Sequence, residues 1–514
     1  MTTDKRTTGA PRGRASAVKQ RRNGKPQTKG RKPGAAPRRG PSRPADGGDK
    51  RAGHPAQVHV TSGLGARRLA VYLIHSVLWA KRSFDDALTA AEQVPVFAGM
   101  DGRDRGFAHA IAAAVLRRRG SLETVLAQFI QTPLPDKASS AKSVLLAGAA
   151  QILLLNTPVH AAINLAVEQC RHEPGAHRYG KLVNAVLRRV SERGAELLAA
   201  QDAVTADMPP WLLDRWIADY GEPTARAMAE ASLTEAALDL TLKDPSDSAQ
   251  WIEATGGRLL ATGSLRLAEH PRVEEIAGFA DGAWWVQDAA AALPCKLLGN
   301  VSTLDIADLC AAPGGKTAAL AARGAHVTAV DASPKRLERL TANLARLKLD
   351  DRVTVVTADI GAWSPGRTFD AVLLDAPCSA SGTIRRHPDL LHLKSGADIS
   401  RLAKLQKRLL ARAALLVKPG GQLVYCVCSL ERAEGPDVIA AFLATNVDFE
   451  RVPLRASELG GDLAEQWITG DGDMRTLPSH QVAVASGAAP ELFGMDGFYA
   501  ARLTRRETAD RGAP

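Results

Sequence analysis

From Asp281 onward five short apolar runs recur with helical segments between them, and this alternation constrains the fold of the 514-residue chain more than any other feature. The runs are TLDIADLC (303–310), HVTAVDA (326–332), VTVVTAD (353–359), FDAVLLDAP (369–377) and QLVYCVC (422–428). Thr317–Arg323, Pro334–Lys348 and Ala397–Val417 read as the helices between them. Strands alternating with helices specify a mostly parallel sheet covered on both faces. Ligands of such sheets bind beyond the carboxyl ends of the strands. The polar motifs of this chain fall there.

The first is DLCAAPGGKT (308–317), a Gly-rich turn between a strand and a helix. A Walker A loop would need Gly at position 310, where Cys310 stands, and no GxGxxG fingerprint is present, so the motif argues against a nucleoside triphosphate site. Gly314 and Gly315 let a ligand approach the backbone closely. The following helix N-terminus offers free N–H groups to an anion such as a carboxylate. Asp331 ends the next strand, 23 residues after Asp308, where an acid commonly binds the two hydroxyls of a ribose. Asp359 ends the strand after that and is placed to accept from an adenine amino group. A lone acid at a strand end is usually a cap or turn former. Acids at three consecutive strand ends beside a Gly-rich turn point to a ligand.

Two further segments carry a cysteine each, DAPCSASGTIRRHPD (375–389) and YCVCS (425–429). Each follows a buried strand, so two thiols reach one edge of the sheet. That pairing suits chemistry on a pyrimidine ring. If the strand runs through Cys428, Cys426 shares its face, and core packing is the expected role of Cys426. Arg385, Arg386 and His387 are expected to meet RNA phosphates, although Pro388 and Asp389 could equally make this stretch a structural turn.

Charge is distributed unevenly. Residues 1–60 hold sixteen Lys and Arg against Asp4, Asp46 and Asp49, a balance of +13, so with +11 for the whole chain residues 61–514 sum to −2. That basic stretch, almost without large apolar residues, cannot bury enough surface to offset its ordering entropy. It is expected to be a disordered tail over 1–65 that attracts nucleic-acid phosphates, with a solubilising extension as the plainer alternative. No apolar run reaches the ~18–20 residues of a membrane span. The six cysteines show neither zinc-type spacing nor a small-domain disulfide framework. A reduced, cytoplasmic protein with no metal and no membrane association is expected, as a monomer.

From about Ala66 to Val190 the pattern is helical throughout, with stripes at Leu69, Tyr72, Leu73, Val77 and at Leu182, Val183, Val186, Leu187, Val190. An all-α bundle over 66–200 follows. Arg117, Arg118, Arg119, Arg188 and Arg189 end these stripes and are candidates for phosphate contact, although cations suit helix C-termini anyway. Residues 205–280 read as a small α/β subdomain. MPPWLLDRWIADYGEPTARAMAEASL makes one or two helices, and ALDLTLKD and RLLATGSLRL look like short strands. The catalytic half then spans 281–506, with a short tail at 507–514.

Several phrases are similar to known families. GRDRGFAHAIAAAVLRRRGSL, LLAGAAQILLLNTPVHAAINLAVEQC and KLVNAVLRRV resemble the NusB-like RNA-binding domain over about 125 residues. CAAPGGKT, VDAS, DAPCSASGTIRRHPD and YCVCS look like the successive motifs of the RsmB/Sun family, ribosomal RNA cytosine-5 methyltransferases that use S-adenosyl-L-methionine. The match covers about 67–505. It implies a multidomain chain: an all-α NusB-like domain, a small α/β subdomain, and an α/β Rossmann-like methyltransferase domain with a mostly parallel sheet. It further implies a donor site at Cys310, Ala311, Ala312, Pro313, Gly314, Gly315 and Lys316 with Asp331, Asp359 and Asp375. Cys428 is then the nucleophile and Cys378 assists its release, a division that spacing alone leaves open. The chain departs from its relatives at Val427, often Thr, and at Thr241 and Lys243, usually Arg and Asn.

The implied chemistry suits these residues. Carbon 5 of cytosine is a poor nucleophile, and a thiolate added at carbon 6 makes it an enamine able to attack a methyl sulfonium. Asp375 could contact the ring nitrogen and amino group, stabilising charge that develops on addition. Lys316 could pair with Asp375 or with the donor carboxylate. The target must be unpaired or extruded to reach such a pocket. The partner expected is RNA, specifically 16S ribosomal RNA. Two alternatives stay open: an RNA-binding assembly or antitermination factor with an inactive methyltransferase half, and transfer-RNA methylation by the same chemistry.

Overall fold

The computed structural model describes residues 63–485 and 492–507. The tail expected over 1–65 lies outside the described residues apart from its last three, and the end of the chain past Glu507 lies outside them too. The first helix begins at Leu64, within the stretch read as tail.

Seven helices form the N-terminal bundle: α1 (Leu64–Leu78), α2 (Phe84–Glu92), α3 (Gly102–Arg117), α4 (Arg119–Ala127), α5 (Ser139–Leu153), α6 (Val159–His172) and α7 (Gly180–Ala199). Ser83 and Asp101 start α2 and α3 by accepting from the N–H groups of Asp86 and Asp104. The expected stripes face inward: Leu69, Leu73 and Val77 of α1 share a core with Val183, Val186, Leu187 and Val190 of α7. Each such side chain contributes about 1.5–3 kcal/mol by leaving water. Two of the arginines read as phosphate contacts turn inward instead. Arg118 pairs with buried Asp207 at 2.7 Å, and Arg117 donates to the Arg385 carbonyl at 2.9 Å. Arg119 pairs with Glu123 on the surface, and Arg188 and Arg189 remain exposed.

The connecting region opens with α8 (Ala203–Asp207), α9 (Pro210–Tyr220) and α10 (Glu222–Ser232). A four-stranded antiparallel sheet follows, in order β2-β3-β1-β4, from β1 (Leu238–Leu242), β2 (Arg258–Leu259), β3 (Ser264–Leu267) and β4 (Trp284–Val286), with α11 (Ser248–Thr255) after β1. RLLATGSLRL is thus a tight hairpin, β2 and β3 joined by a turn in which Gly263 donates to the Leu260 carbonyl at 2.7 Å.

The remaining chain supplies α12 (Ala289–Lys296), β5 (Asp305–Leu309), α13 (Gly315–Ala322), β6 (His326–Asp331), α14 (Pro334–Leu347), β7 (Val353–Thr357), β8 (Phe369–Asp375), α15 (Leu390–Leu393), α16 (Gly396–Ala414), β9 (Val417–Val427), α17 (Pro436–Thr445) and β10 (Phe449–Arg451). After α18 (Ala456–Leu459) come β11 (Met474–Thr476), β12 (Gln481–Ala483), β13 (Leu492–Gly494) and β14 (Phe498–Arg505). Eight strands make the main sheet, in order β10-β14-β9-β8-β5-β6-β7, with β11 also on β14. Strands β5 to β9 are mutually parallel, and β14 runs antiparallel to β9. Alternate residues of β8 serve opposite faces, as a pleated strand requires. Leu373 belongs to the core on the face covered by α14, with Leu337 and Leu340, whereas Val372 and Leu374 belong to the core on the opposite face with Leu409, Leu410 and Ala413 of α16.

Two boundaries differ from the sequence reading. Val417 opens β9 and does not close the preceding helix, because Pro419 with two glycines suits an irregular strand start better than a helix end. At the other end β9 stops at Val427, which leaves Cys428 as the first residue of the loop.

Candidate active site

Strands β8 and β9 place the candidate side chains. Asp375, the last residue of β8, is in register with Cys426 near the end of β9. Cys378 lies three residues beyond Asp375 and Cys428 two beyond Cys426, so the two loops carry their thiols to one edge. The sulfurs are 3.5 Å apart, and both residues are partly exposed. Cys378 is held well above the ordinary thiol range, first by its hydrogen bond with Cys428 and then by burial.

Lys316, in the first turn of α13, donates from Nζ to Asp375 Oδ2 at 2.8 Å. Burial is the largest single influence and works against its charge, but the Asp375 carboxylate together with the neighbouring Cys426 and Cys295 holds the ammonium well above its usual value. The same ammonium lies 4.9 Å from the centre of the Phe498 ring. Cys426 is fully buried; its thiol contacts Asp375 Oδ1 at 3.6 Å, and burial, then Asp375, push it well up. It sits with Ile306, Leu373 and Val424 in the core, in agreement with a packing role.

The Gly-rich turn between β5 and α13 passes through Cys310 at φ 62° and Gly314 at φ 105°. A side chain on Gly314 would be strained by that φ, and its Cβ would meet Leu340 Cγ at 2.9 Å. No side chain caps α13, so its opening N–H groups are unclaimed by one. Beneath the turn Thr317 Oγ1 donates to Asp308 at 2.5 Å, and burial raises the Asp308 carboxyl to about 7. Asp331 is buried; it accepts from the N–H groups of Ala312 and Ser333 at 3.2 and 2.9 Å, with Arg336 at 3.3 Å. Asp359 is exposed two residues beyond β7, and its Oδ1 accepts from the Gly361 N–H.

A cavity of about 430 Å³ opens beside the turn. Of the residues read as the site, Ala311, Pro313, Gly314, Gly315, Lys316 and Asp375 line it, whereas Cys310, Ala312, Asp331, Asp359, Cys378 and Cys428 do not. Its opposite wall comes from Trp285, Gln287 and Asp288, at the junction of β4 and α12, with Arg386, His387 and Asp496. Sequence reasoning missed Gln287, Asp288 and Asp496; the one local signal was an N-cap Asp before AAAAL. Thr241 supports this wall by donating to Gln287 Oε1 at 3.0 Å, and Lys243 donates to the Leu347 carbonyl at the end of α14.

The expectation that Arg386 meets RNA phosphates is corrected. Its guanidinium donates to Asp496 at 2.9 Å, to Asp288, and to the Ala237 carbonyl at 3.2 Å, so its charge is already spent on two buried carboxylates. Arg385 is buried as well, with its carbonyl taken by Arg117. Asp389 caps the first turn of α2 by accepting from the Phe84 N–H at 2.9 Å, and His392 contacts the Leu116 carbonyl at 2.7 Å. The RRHPD stretch is therefore the joint between the cysteine loop and the helical bundle. Among the described residues no cluster of three or more His, Cys, Asp or Glu could hold a metal, and no helix is long and apolar enough to cross a membrane.

Comparison with known proteins fits this arrangement. Residues 297–504 match the family model for 16S rRNA methyltransferase RsmB/F, and residues 65–192 match that for the NusB family. Ribosomal RNA small subunit methyltransferase B of Xanthomonas campestris pv. campestris is 38% identical over 413 residues, 77% of this chain and 91% of that protein. Its counterparts from Xylella fastidiosa and Vibrio cholerae are 35% and 34% identical, covering 87% and 86% of this chain and 99% and 98% of their own. The crystal structure of PH0851 has the same fold, with a TM-score of 0.66 at 21% identity over 86% of this chain and 99% of that one. Likeness at this level along nearly the whole of its relatives establishes that the chain belongs to the RsmB family of ribosomal RNA small subunit methyltransferases.

Proposed function

We propose that the chain is an S-adenosyl-L-methionine-dependent RNA (cytosine-5) methyltransferase that acts on 16S ribosomal RNA through a covalent adduct between Cys428 and carbon 6 of the target cytosine. The 3.5 Å separation of the Cys378 and Cys428 sulfurs, beside the Lys316–Asp375 pair, is the observation that carries this reading.

The residues present fit the donor. The uncapped N-terminus of α13 suits a carboxylate, and Asp331 retains acceptor capacity for a ribose hydroxyl beyond its two backbone donors and Arg336. Exposed Asp359 can accept from an amino group, and Gly314 keeps the turn open. Cys310 to Lys316 with Asp331, Asp359 and Asp375 would hold the group, which supplies the electrophilic methyl. Cys428 adds to carbon 6, and carbon 5 becomes nucleophilic. Asp375, neutralised on one side by Lys316, orients the ring by accepting from its amino group. After transfer a solvent water takes the carbon 5 proton, the freed electron pair restores the 5,6 double bond, and the carbon 6–sulfur bond breaks to release Cys428 as thiolate. Cys378, kept protonated, lies within reach of the departing sulfur and donates to it. Cys426 takes no part. In this reading 66–200 recognises RNA, 205–280 connects, 281–506 carries the chemistry in the cytoplasm, and the basic 1–65 adds attraction to phosphates.

Incubation of the purified protein with methyl-labelled donor and unmodified small-subunit RNA tests the proposal. 5-Methylcytosine in that RNA is expected, and Cys428→Ala abolishes it. Label entering transfer RNA but not ribosomal RNA would overturn the substrate, and full turnover by Cys428→Ala would overturn the mechanism.

A further inference from the structure

One buried carboxylate ties together the loops that carry the two thiols, and we propose that Glu434 is the positioning residue that holds Cys378 and Cys428 in register for the adduct chemistry. The inference rests on reading those thiols as the reacting pair.

Glu434 is fully buried in a single 3-10 turn, Arg432–Glu434, ahead of α17. Its side chain accepts from the residue immediately after each cysteine. The Ser379 N–H reaches Oε1 at 2.9 Å and Oε2 at 3.2 Å, and the Ser379 hydroxyl also donates to Oε2. The Ser429 hydroxyl donates to the same oxygen at 2.5 Å. Gln406 of α16 completes the clamp: its Nε2 donates to Glu434 Oε1 at 3.0 Å and to the carbonyl of Pro377, just before Cys378, at 2.9 Å. Cys378 is thus bracketed on both sides through one carboxylate. The Tyr425 hydroxyl donates to the Glu434 carbonyl at 2.5 Å, which fixes the clamp to β9.

A buried charge satisfied by this many neutral donors costs desolvation that a plain core residue would not. What it gains is geometric. Two loops separated by fifty residues of chain end with their sulfurs 3.5 Å apart. The negative charge also lies where it discourages ionisation of Cys378, adding to the larger effects of the Cys428 hydrogen bond and burial. Gln would match Glu434 in size but loses the charge and one acceptor oxygen: its amide nitrogen either faces the Ser379 N–H and the Gln406 amide, where a tether is lost, or faces the Ser379 and Ser429 hydroxyls, which must both turn round to accept from it.

The test compares wild type with Glu434→Gln in steady-state methylation of small-subunit RNA. The expected result is a kcat lower by about 10- to 100-fold, as for a displacement of up to 1 Å of reacting groups, with KM for RNA and the donor Kd unchanged within about 3-fold. The alkaline limb of kcat moves to lower pH, because Cys378 loses one influence that keeps it protonated. An inactive wild type would sink the reading of the thiols. An active wild type with Glu434→Gln equal to it in kcat, or altered in KM alone, would overturn the clamp. If Glu434→Gln fails to fold, Ser379→Ala and Ser429→Ala each remove a single tether; slower kcat at constant KM supports the proposal, and wild-type kcat in both overturns it.

Discussion

Gly382 sits where a single methyl group is expected to disturb both thiols. It lies in the turn Ser381–Thr383 after Cys378, donates its N–H to the Cys428 carbonyl at 3.1 Å, and accepts from the Gly497 N–H at 2.9 Å. A Cβ at this position would meet the Gly497 carbonyl oxygen at 1.9 Å and its carbon at 2.6 Å. The obstructing atoms are backbone, so no rotamer relieves them. Restoring a 3.0 Å contact from 1.9 Å asks the loops to separate by about 1 Å. Overpacking of this kind costs about 1–3 kcal/mol, and weakening both hydrogen bonds adds about 1 kcal/mol each. Gly382→Ala should therefore lose roughly 3–5 kcal/mol of stability by these terms together. Misplacement of reacting groups by about 1 Å should also lower kcat by about 10²-fold. The assay is thermal unfolding alongside methyl transfer, with Gly396→Ala as control because nothing stands within 4 Å of its added Cβ. A Gly382→Ala protein matching the control in both measurements would refute the view that loop spacing sets the chemistry.

Other residues give separate tests. Arg386→Ala leaves Asp288 and Asp496 buried without their cation and should cost about 3–5 kcal/mol, read by urea unfolding, while the salt dependence of RNA binding keeps its slope. Wild-type stability with a shallower salt slope would instead mark a phosphate contact. Cys426→Ala should leave kcat within about 3-fold and lower stability by about 1 kcal/mol, the scale of a small core truncation; loss of activity would give that thiol a chemical role. Burial raises Asp308 to about 7 from its ordinary 3.8, so its contribution to stability is complete below pH 3.8 and lost as pH rises through 7. Asp308→Asn should stabilise the protein by about 2–3 kcal/mol more at pH 8 than at pH 5, measured by unfolding at each pH; an effect independent of pH would contradict the raised carboxyl.

Much of the fold was legible because its signals are local. The apolar runs of β5, β6 and β8 are short and continuous, as fully buried parallel strands are, and helices follow β5 and β6 closely. The stripe Val183, Val186, Leu187, Val190 faces the core as its period required. The antiparallel half of the sheet was not legible. β10 reads FER and β11 reads MRT, three residues each, with two charges in the first and one in the second, and only pairing with β14 makes strands of them. At the site, the two cysteines stood out by chemistry and by their place after strands. Arg386 was misread because a run of cations beside a catalytic motif suggests phosphate, and its two carboxylates come from 98 and 110 residues away. Glu434 carried no signal at all, since one more acid in a loop becomes a clamp only when α16 and both cysteine loops converge on it.

The most direct measurement is the site of attachment between protein and RNA. Cys378→Ala, incubated with donor and small-subunit RNA and then digested with ribonuclease and protease, should accumulate one nucleotide-modified peptide, which mass spectrometry assigns to Cys428. Wild type should show little of it at steady state. Modification of Cys426, or continued methylation by Cys378→Ala with no modified peptide detected, would contradict covalent catalysis from Cys428.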